Sequence, residues 1–188
     1  MIQIMLREIP RDDYKTLYTH MERDFPAGEI APFFAIKSNL DKKIYDGYYI
    51  TGEADLGYAL ITAPEGYKYA LINYFAIFPE YRSRGYGSAF LQMLPDRYPD
   101  RTFVIEVEDP SARKEPERRE AAERRVKFYV RAGYSIVPTA RARIFGADML
   151  IMACPAHEQF SPREVMRALY LPALGSKHWL RFVDVRDI

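Results

Sequence analysis

Between Arg82 and Ser88 the chain reads Arg-Ser-Arg-Gly-Tyr-Gly-Ser, two cations and two glycines within seven residues. An apolar run from Leu71 to Phe78 leads into it through Pro79, and Ala89, Phe90, Met93 and Leu94 follow at helical spacing on one face. A buried strand that delivers a basic, glycine-containing loop to a helix start collects free backbone N–H groups and the positive end of the helix dipole at one point. Such a point binds anions of phosphate size. It is not a P-loop, because Gly-x-x-x-x-Gly-Lys-Ser/Thr is absent, and a dinucleotide fingerprint would want glycine or alanine where Phe90 stands. No Gly-x-Ser-x-Gly occurs, and His20, His157 and His178 lie too far apart for a local zinc motif. Each histidine reads as an ordinary surface or core residue, and no metal site is expected. Cys154 is the sole cysteine, so an intramolecular disulfide is excluded and a buried, inert thiol is its default role.

Composition keeps the anion chemistry local. Lysine plus arginine number 27 against 26 aspartate plus glutamate, which leaves no net field to gather nucleic acid or an anionic membrane. The stretch Arg113–Lys127 is rich in arginine, but its interleaved glutamates make it a solvated helix face. Neither a signal peptide nor a run of about 20 apolar residues is present, so the expectation is a soluble cytoplasmic protein. A chain of 188 residues, nearly half of them apolar, can bury one full core.

The elements that must carry the loop follow from periodicity and punctuation. Ile2–Ile9 reads as a first strand, then a helix from Asp12 or Asp13 to about Arg23, then a second helix from near Pro32 toward Ile44 with Phe33, Phe34, Ile36 and Leu40 on its apolar side. Tyr45–Thr51 and Leu56–Thr62 form a hairpin that feeds the strand before the glycine loop. The helix behind the loop is expected to end near Leu94-Pro95, and Arg101–Val107 is a further strand reached by a parallel crossover. A helix from Pro116 to Arg131, with Ala122, Val126 and Val130 as its apolar stripe, stops at Gly133. Tyr134–Val137 and Met149–Cys154 are strands joined by a ribbon turning at Gly146-Ala147-Asp148, and Ser161-Pro162 opens a last helix. The expected organisation is a domain over 1–154 and a helical extension over 155–188, packed on that domain or on a second copy in a homodimer.

Arg82-Ser83-Arg84-Gly85-Tyr86-Gly87 resembles the acyl-CoA-binding signature of the GNAT N-acetyltransferase superfamily, Arg/Gln-x-x-Gly-x-Gly/Ala after an apolar strand. Phe75-Ala76-Ile77-x-Pro79-x-Tyr81-Arg82 is similar to that family's strand end, and Arg125-x-x-x-Tyr129-x-x-x-Gly133-Tyr134 to its later helix and following strand. The resemblance covers roughly residues 2–154. It implies an α/β fold of mixed α+β type, with a central, mostly antiparallel sheet, a splayed parallel pair of strands and helices on both faces. It further implies that Arg84, Gly85, Tyr86, Gly87 and Ser88, led in by Arg82 and Ser83, hold the CoA pyrophosphate, and that backbone of Phe75, Ala76 and Ile77 pairs with pantetheine and polarises the thioester. Tyr129 would be the acid that protonates the departing thiolate; its competing reading is a core tyrosine, in a chain that holds 15.

The base is harder to assign. Family members often place a glutamate on the strand before the loop, where this chain has Leu71, Ile72, Asn73 and Tyr74. Glu106 and Glu108, two apart on the neighbouring strand, share a face and are the nearest carboxylates to the inferred thioester. Either could take a proton from an amine, directly or through water, or the two could face solvent or tie down the arginine-rich helix. Asn73 and Tyr74 could instead orient a water. Phe25-Pro26 and the helix with Phe33 and Phe34 occupy the position of the family's acceptor wall, or belong to the core. The resulting expectation is an acetyl-CoA-dependent N-acetyltransferase that acts directly on a primary amine of a small molecule or peptide, with no acyl-enzyme on Cys154. The alternatives are a CoA-binding sensor without catalysis, an acyltransferase for another acyl-CoA, and, least supported, a nucleotide-phosphate binder of another fold.

Overall fold

The structure, a computed structural model, describes residues 2–139, 141–155 and 160–188. His157 lies outside the described residues. Among these residues the architecture is mixed α/β, mostly antiparallel with one parallel strand pair and five α-helices. Two compact units divide the chain, Met1–Gly66 with Ile72–Arg101 and Tyr67–Leu71 with Thr102–Ile188.

The first unit opens with β1 (Met5–Glu8), shorter than its apolar content predicts, and α1 (Tyr14–Asp24). A single 3-10 turn, Arg11–Asp13, precedes α1, so Asp13 sits in helical geometry and its side chain makes no cap bond, contrary to its expected role. The second helix, α2 (Phe33–Asp41), begins behind Pro32 as expected, but only Ile36 and Leu40 of its predicted apolar side are buried; Phe34 stands 74% exposed. Strands β2 (Asp46–Thr51) and β3 (Asp55–Thr62) form the anticipated hairpin, and β1 pairs antiparallel with β2. Next to β3 runs β4 (Tyr69–Ile77). The chain comes exceptionally close there: a Cβ built on Gly57 of β3 would lie 2.2 Å from the Ala76 carbonyl oxygen and 2.9 Å from the Ile77 Cα. Only glycine admits that approach.

The helix behind the loop, α3 (Tyr86–Arg97), does not stop at Leu94-Pro95 but includes Pro95 and runs one turn further. Proline near a helix end forfeits one bond rather than a run of them, and the last turn is pinned by aromatic and polar contacts. Tyr98 donates to Asp46 Oδ2 at 2.7 Å and Arg97 to the Tyr48 hydroxyl at 2.8 Å.

In the second unit, Tyr69–Leu71 of β4 pairs parallel with Thr102–Val104 of β5 (Thr102–Glu108), confirming the parallel connection expected from the strand, helix and strand. After α4 (Pro116–Arg131) and Gly133, whose φ of +91° is the left-handed stop, come β6 (Ser135–Val137), β7 (Arg141–Ile144) and β8 (Ala147–Cys154). The sequence did not separate β7. The ribbon turns at Phe145 and Gly146, both at positive φ, and β8 starts at Ala147. β8 pairs antiparallel with β5, β6 and β7, while β9 (Val183–Arg186) closes the order beside β7. The long helix α5 (Pro162–Phe182) starts as predicted, with Ser161 Oγ accepting from Glu164 N. Its Val165, Met166, Leu169, Tyr170 and Trp179 pack with Leu71, Val104, Ile144 and Ile151 in one core, so the apolar tail is used within its own unit. Burying such a set removes most of its area from water, at about 25 cal/mol per Å².

Candidate active site

The glycine-containing basic loop lies in the first unit, between β4 and α3. Past Ile77 a 3-10 turn, Pro79–Tyr81, leads to four exposed residues, Arg82 to Gly85, and α3 begins at Tyr86 with Gly85 as N-cap. No side chain caps that helix. Gly85 sits at φ +86° and Ser83 at φ +61°, so the loop is coiled through left-handed geometry that only glycine adopts without cost. The N–H groups of Tyr86, Gly87 and Ser88 precede the first i to i−4 bond, which Ala89 N makes to Gly85 O.

The two loop arginines have different tasks. Arg82 Nε donates to the Ile77 carbonyl at 2.8 Å and its Nη2 donates to Asp24 Oδ1 at 2.9 Å. It thereby ties the loop back to the end of β4 and to the last residue of α1. The Asp24 side chain is only 2% exposed and also accepts from Arg23 and from the Tyr58 hydroxyl. Asp24 carries no motif and was not singled out in the sequence; nothing in its spacing ties it to a loop 58 residues away. Arg84 lies over the Tyr81 ring with its guanidinium carbon 5.9 Å from the centroid, and Tyr81 meets Tyr86 edge to face. Phe75 stacks on Phe90 of α3 at 4.5 Å, which fixes the end of β4 against the helix it feeds.

Asn73 and Tyr74, also in this unit, are committed to structure. Asn73 Oδ1 accepts from Thr62 Oγ1 at 2.8 Å, and its buried Nδ2 has no partner among the described residues. The Tyr74 hydroxyl accepts from Ala31 N and donates to the Glu29 carbonyl, and its ring meets Phe25 edge to face, so it anchors the segment between α1 and α2.

Glu106, Glu108 and Tyr129 lie in the second unit. Both glutamates point off the same side of β5, as alternation demands, yet they meet different environments. Glu108 forms an ion pair with Arg113, each side chain under a fifth exposed. Glu106 Oε2 accepts from the Tyr170 hydroxyl of α5 at 2.9 Å, while Oε1 is buried and has no partner among the described residues. Burial is the dominant influence on that carboxyl and pushes its pKa up to about 7; the Tyr170 hydrogen bond works in the opposite direction. A carboxyl poised at neutrality with one free oxygen can accept a proton.

Tyr129 is 6% exposed, and the buried face of α4 is Ala122 and Tyr129 rather than the expected Ala122, Val126 and Val130. Val130 is 52% exposed; the spacing of seven from 122 to 129 fits the face, and the stripe is rotated by about a quarter turn. Tyr129 meets the Tyr134 ring edge to face at 5.6 Å, and burial raises the pKa of both phenols, so each keeps its proton at neutral pH. Cys154 is half-buried, and burial raises its pKa as well, which suits an unreactive thiol. Val165, Met166, Leu169 and Tyr170 share an inward helical face; that periodicity says Tyr170 turns inward, not that it meets Glu106.

The description "Acetyltransferase (GNAT) family" matches residues 6–134. No curated protein matches the chain. Among solved structures, one named as an acetyltransferase from the GNAT family of Bacteroides thetaiotaomicron shares the fold with a TM-score of 0.74 and 19% identity, over 93% of this chain and 99% of that one. The ribosomal-protein-S18-alanine N-acetyltransferase of Escherichia coli aligns with a TM-score of 0.57 at 19% identity, over 85% and 98%. Spermidine N-acetyltransferase from Vibrio cholerae, in complex with CoA and spermine, aligns at 0.58 and 12%, over 80% and 94%. With the glycine loop and Tyr129 both inside the matched span and the fold shared with these enzymes, the chain belongs to the acetyltransferase (GNAT) family and is an N-acetyltransferase of that type.

Proposed function

We propose that the protein uses acetyl-CoA to acetylate a primary amine of a small molecule or peptide directly, in the cytoplasm. Acetyl-CoA would bring an activated thioester with a good thiolate leaving group. The observation that carries this reading is the uncapped start of α3 beneath an exposed basic loop. The N–H groups of Tyr86, Gly87 and Ser88, with the positive end of α3, suit a pyrophosphate. Arg84 adds a cation, whereas Arg82 and Ser83 shape the loop, Arg82 through Asp24 and Ile77. Backbone of Phe75, Ala76 and Ile77 would pair with the pantetheine arm.

Glu106 serves as the base in this reading and Glu108 does not. Glu108 is occupied by Arg113, whereas Glu106 keeps a free Oε1 and titrates near the pH at which it must act. Tyr129 is the proton donor in this reading: burial keeps its phenol protonated at neutral pH, while making it a weaker acid than an exposed tyrosine. The names of the similar structures include a polyamine acetyltransferase and a protein alanine acetyltransferase, so both small and peptide acceptors belong in the test.

Thiol release from acetyl-CoA, measured across polyamines, amino acids, peptide N-termini and lysine peptides and in competition with longer acyl-CoAs, is expected to show turnover with one amine class and preference for acetyl. The Tyr129→Phe variant should lose about tenfold or more in kcat; unchanged turnover would remove Tyr129 from the mechanism. A second reading rests on Asn73, which stands where the family often has its glutamate and is bound to Thr62. Tight CoA binding by calorimetry with no turnover on any amine would make the protein a CoA sensor.

A further inference from the structure

The helix α5 lies beyond the span that the family description matches, residues 6–134, and yet delivers a hydroxyl to the carboxyl proposed as the base. Tyr170 is 5% exposed and held on both sides by rings, Phe145 edge to face at 5.9 Å and Trp179 at 6.3 Å. Val165, Met166 and Leu169 are buried in the unit's core on the same helical segment, before the break at Gly175, so the hydroxyl is delivered by a segment packed into that core. Its O–H occupies Glu106 Oε2 and leaves Oε1 buried without a partner among the described residues.

We propose that Tyr170 is a positioning residue for this enzyme: its hydroxyl fixes the Glu106 carboxyl so that Oε1 is the oxygen that takes the acceptor's proton. The proposal rests on Glu106 being the base. A single hydrogen bond at Oε2 fixes the carboxyl's orientation and leaves the second oxygen with its lone pairs unspent. It also favours the ionised form that a base needs, against the burial that opposes it. Among the described residues no other charge is an influence on Glu106. On β8 the residue paired with Glu106 is Ile151, on the same strand Glu108 is neutralised by Arg113, and Tyr129 of α4 keeps its proton. Burial and Tyr170 are the influences on Glu106, and neither Glu108, Arg113, Tyr129 nor Asp148 is among them.

The test uses Tyr170→Phe, which retains the ring packed against Phe145 and Trp179, together with Glu106→Gln and the double variant; near-ultraviolet circular dichroism checks the fold. Infrared difference titration of the full-length protein without ligands reads the Glu106 carboxyl directly, with Glu106→Gln as the blank. Tyr170→Phe is expected to raise that titration by about one pH unit and to move the acid limb of kcat/KM upward by the same amount, so that activity falls about tenfold at pH 6 and little at pH 9. In the double variant Tyr170→Phe should cost nothing beyond Glu106→Gln. An unshifted carboxyl titration, an equal loss at every pH, or additive losses in the double variant would each overturn the positioning role. A shifted titration with an unmoved acid limb would instead overturn Glu106 as the base, and the positioning role with it. Absence of turnover in the unaltered enzyme would do the same, and the titration would still show whether the pair exists.

Discussion

The anion loop of the first unit and the Glu106–Tyr170 pair of the second are built on opposite plans. The loop is exposed and local: seven consecutive residues, a left-handed glycine and an uncapped helix start make up the proposed anion site. The pair is buried and assembled from residues 64 positions apart, with a carboxyl that burial pushes to about 7. Binding a strongly hydrated anion asks only for donors at the surface, whereas moving a proton at neutral pH asks for a carboxyl taken out of water, and that requires a core.

The sharpest way to break this contrast is to remove the buried carboxylate. Glu106→Gln should lower kcat about 10²- to 10³-fold, whereas Glu108→Gln, whose carboxylate is already spent on Arg113, should cost about fivefold or less. With Glu106 as the proposed base, kcat/KM of the unaltered protein should rise with pH through about 7, where burial places that carboxyl. Steady-state kinetics from pH 5.5 to about 9 check both expectations.

The same burial predicts a stability effect opposite in sign to the activity effect. The folded-state pKa of Glu106 lies above its ordinary value, so the folded form holds the proton more tightly and the associated stability is full below the ordinary carboxyl range and lost as pH rises through about 7. Glu106→Gln, neutral at every pH, should therefore be more stable than the original at pH 8 by on the order of 2–3 kcal/mol, and little different near pH 4. Urea melts at the two pH values measure it, and equal stability at both would show that the carboxyl is not held in a dry site.

Changes in the loop should be smaller and should fall on binding. Arg82→Lys keeps the charge but cannot bridge the Ile77 carbonyl and Asp24 together, so the KM for acetyl-CoA should rise about tenfold with kcat nearly unchanged. Gly85→Ala imposes a left-handed residue with a side chain, at a cost of about 1 kcal/mol in stability. The added Cβ would meet only the flexible tip of Ile2, at 2.7 Å, so the backbone strain outweighs the contact. Thermal melts with calorimetry of CoA binding would separate the two terms.

Local signals are legible in a sequence and long-range ones are not. The glycine loop, the strand before it, the α4 helix from Pro116 and its stop at Gly133 were legible because their signals lie within a few residues of one another. Pro95, Asp13 and Phe34 misled because local preference yields to neighbours: Tyr98 and Arg97 hold the end of α3, a 3-10 turn displaces the expected cap, and α2 turns Phe34 outward. The stripe on α4 was misplaced because Ala122 and Val130 differ from Ala122 and Tyr129 by a rotation that spacing in so charged a helix does not settle.

From sequence alone came the anion chemistry, the acetyltransferase resemblance and the two candidate glutamates, since each depends on residue type and short spacing. That Glu108 is ion-paired with Arg113, that Arg82 is bound to Ile77 and Asp24 rather than offering an unbound cation, and that Tyr170 meets Glu106 were decided by tertiary structure. A carboxyl's role depends on who else reaches it and on how little water remains. Both are set by packing among residues far apart in the chain, and no local pattern records them.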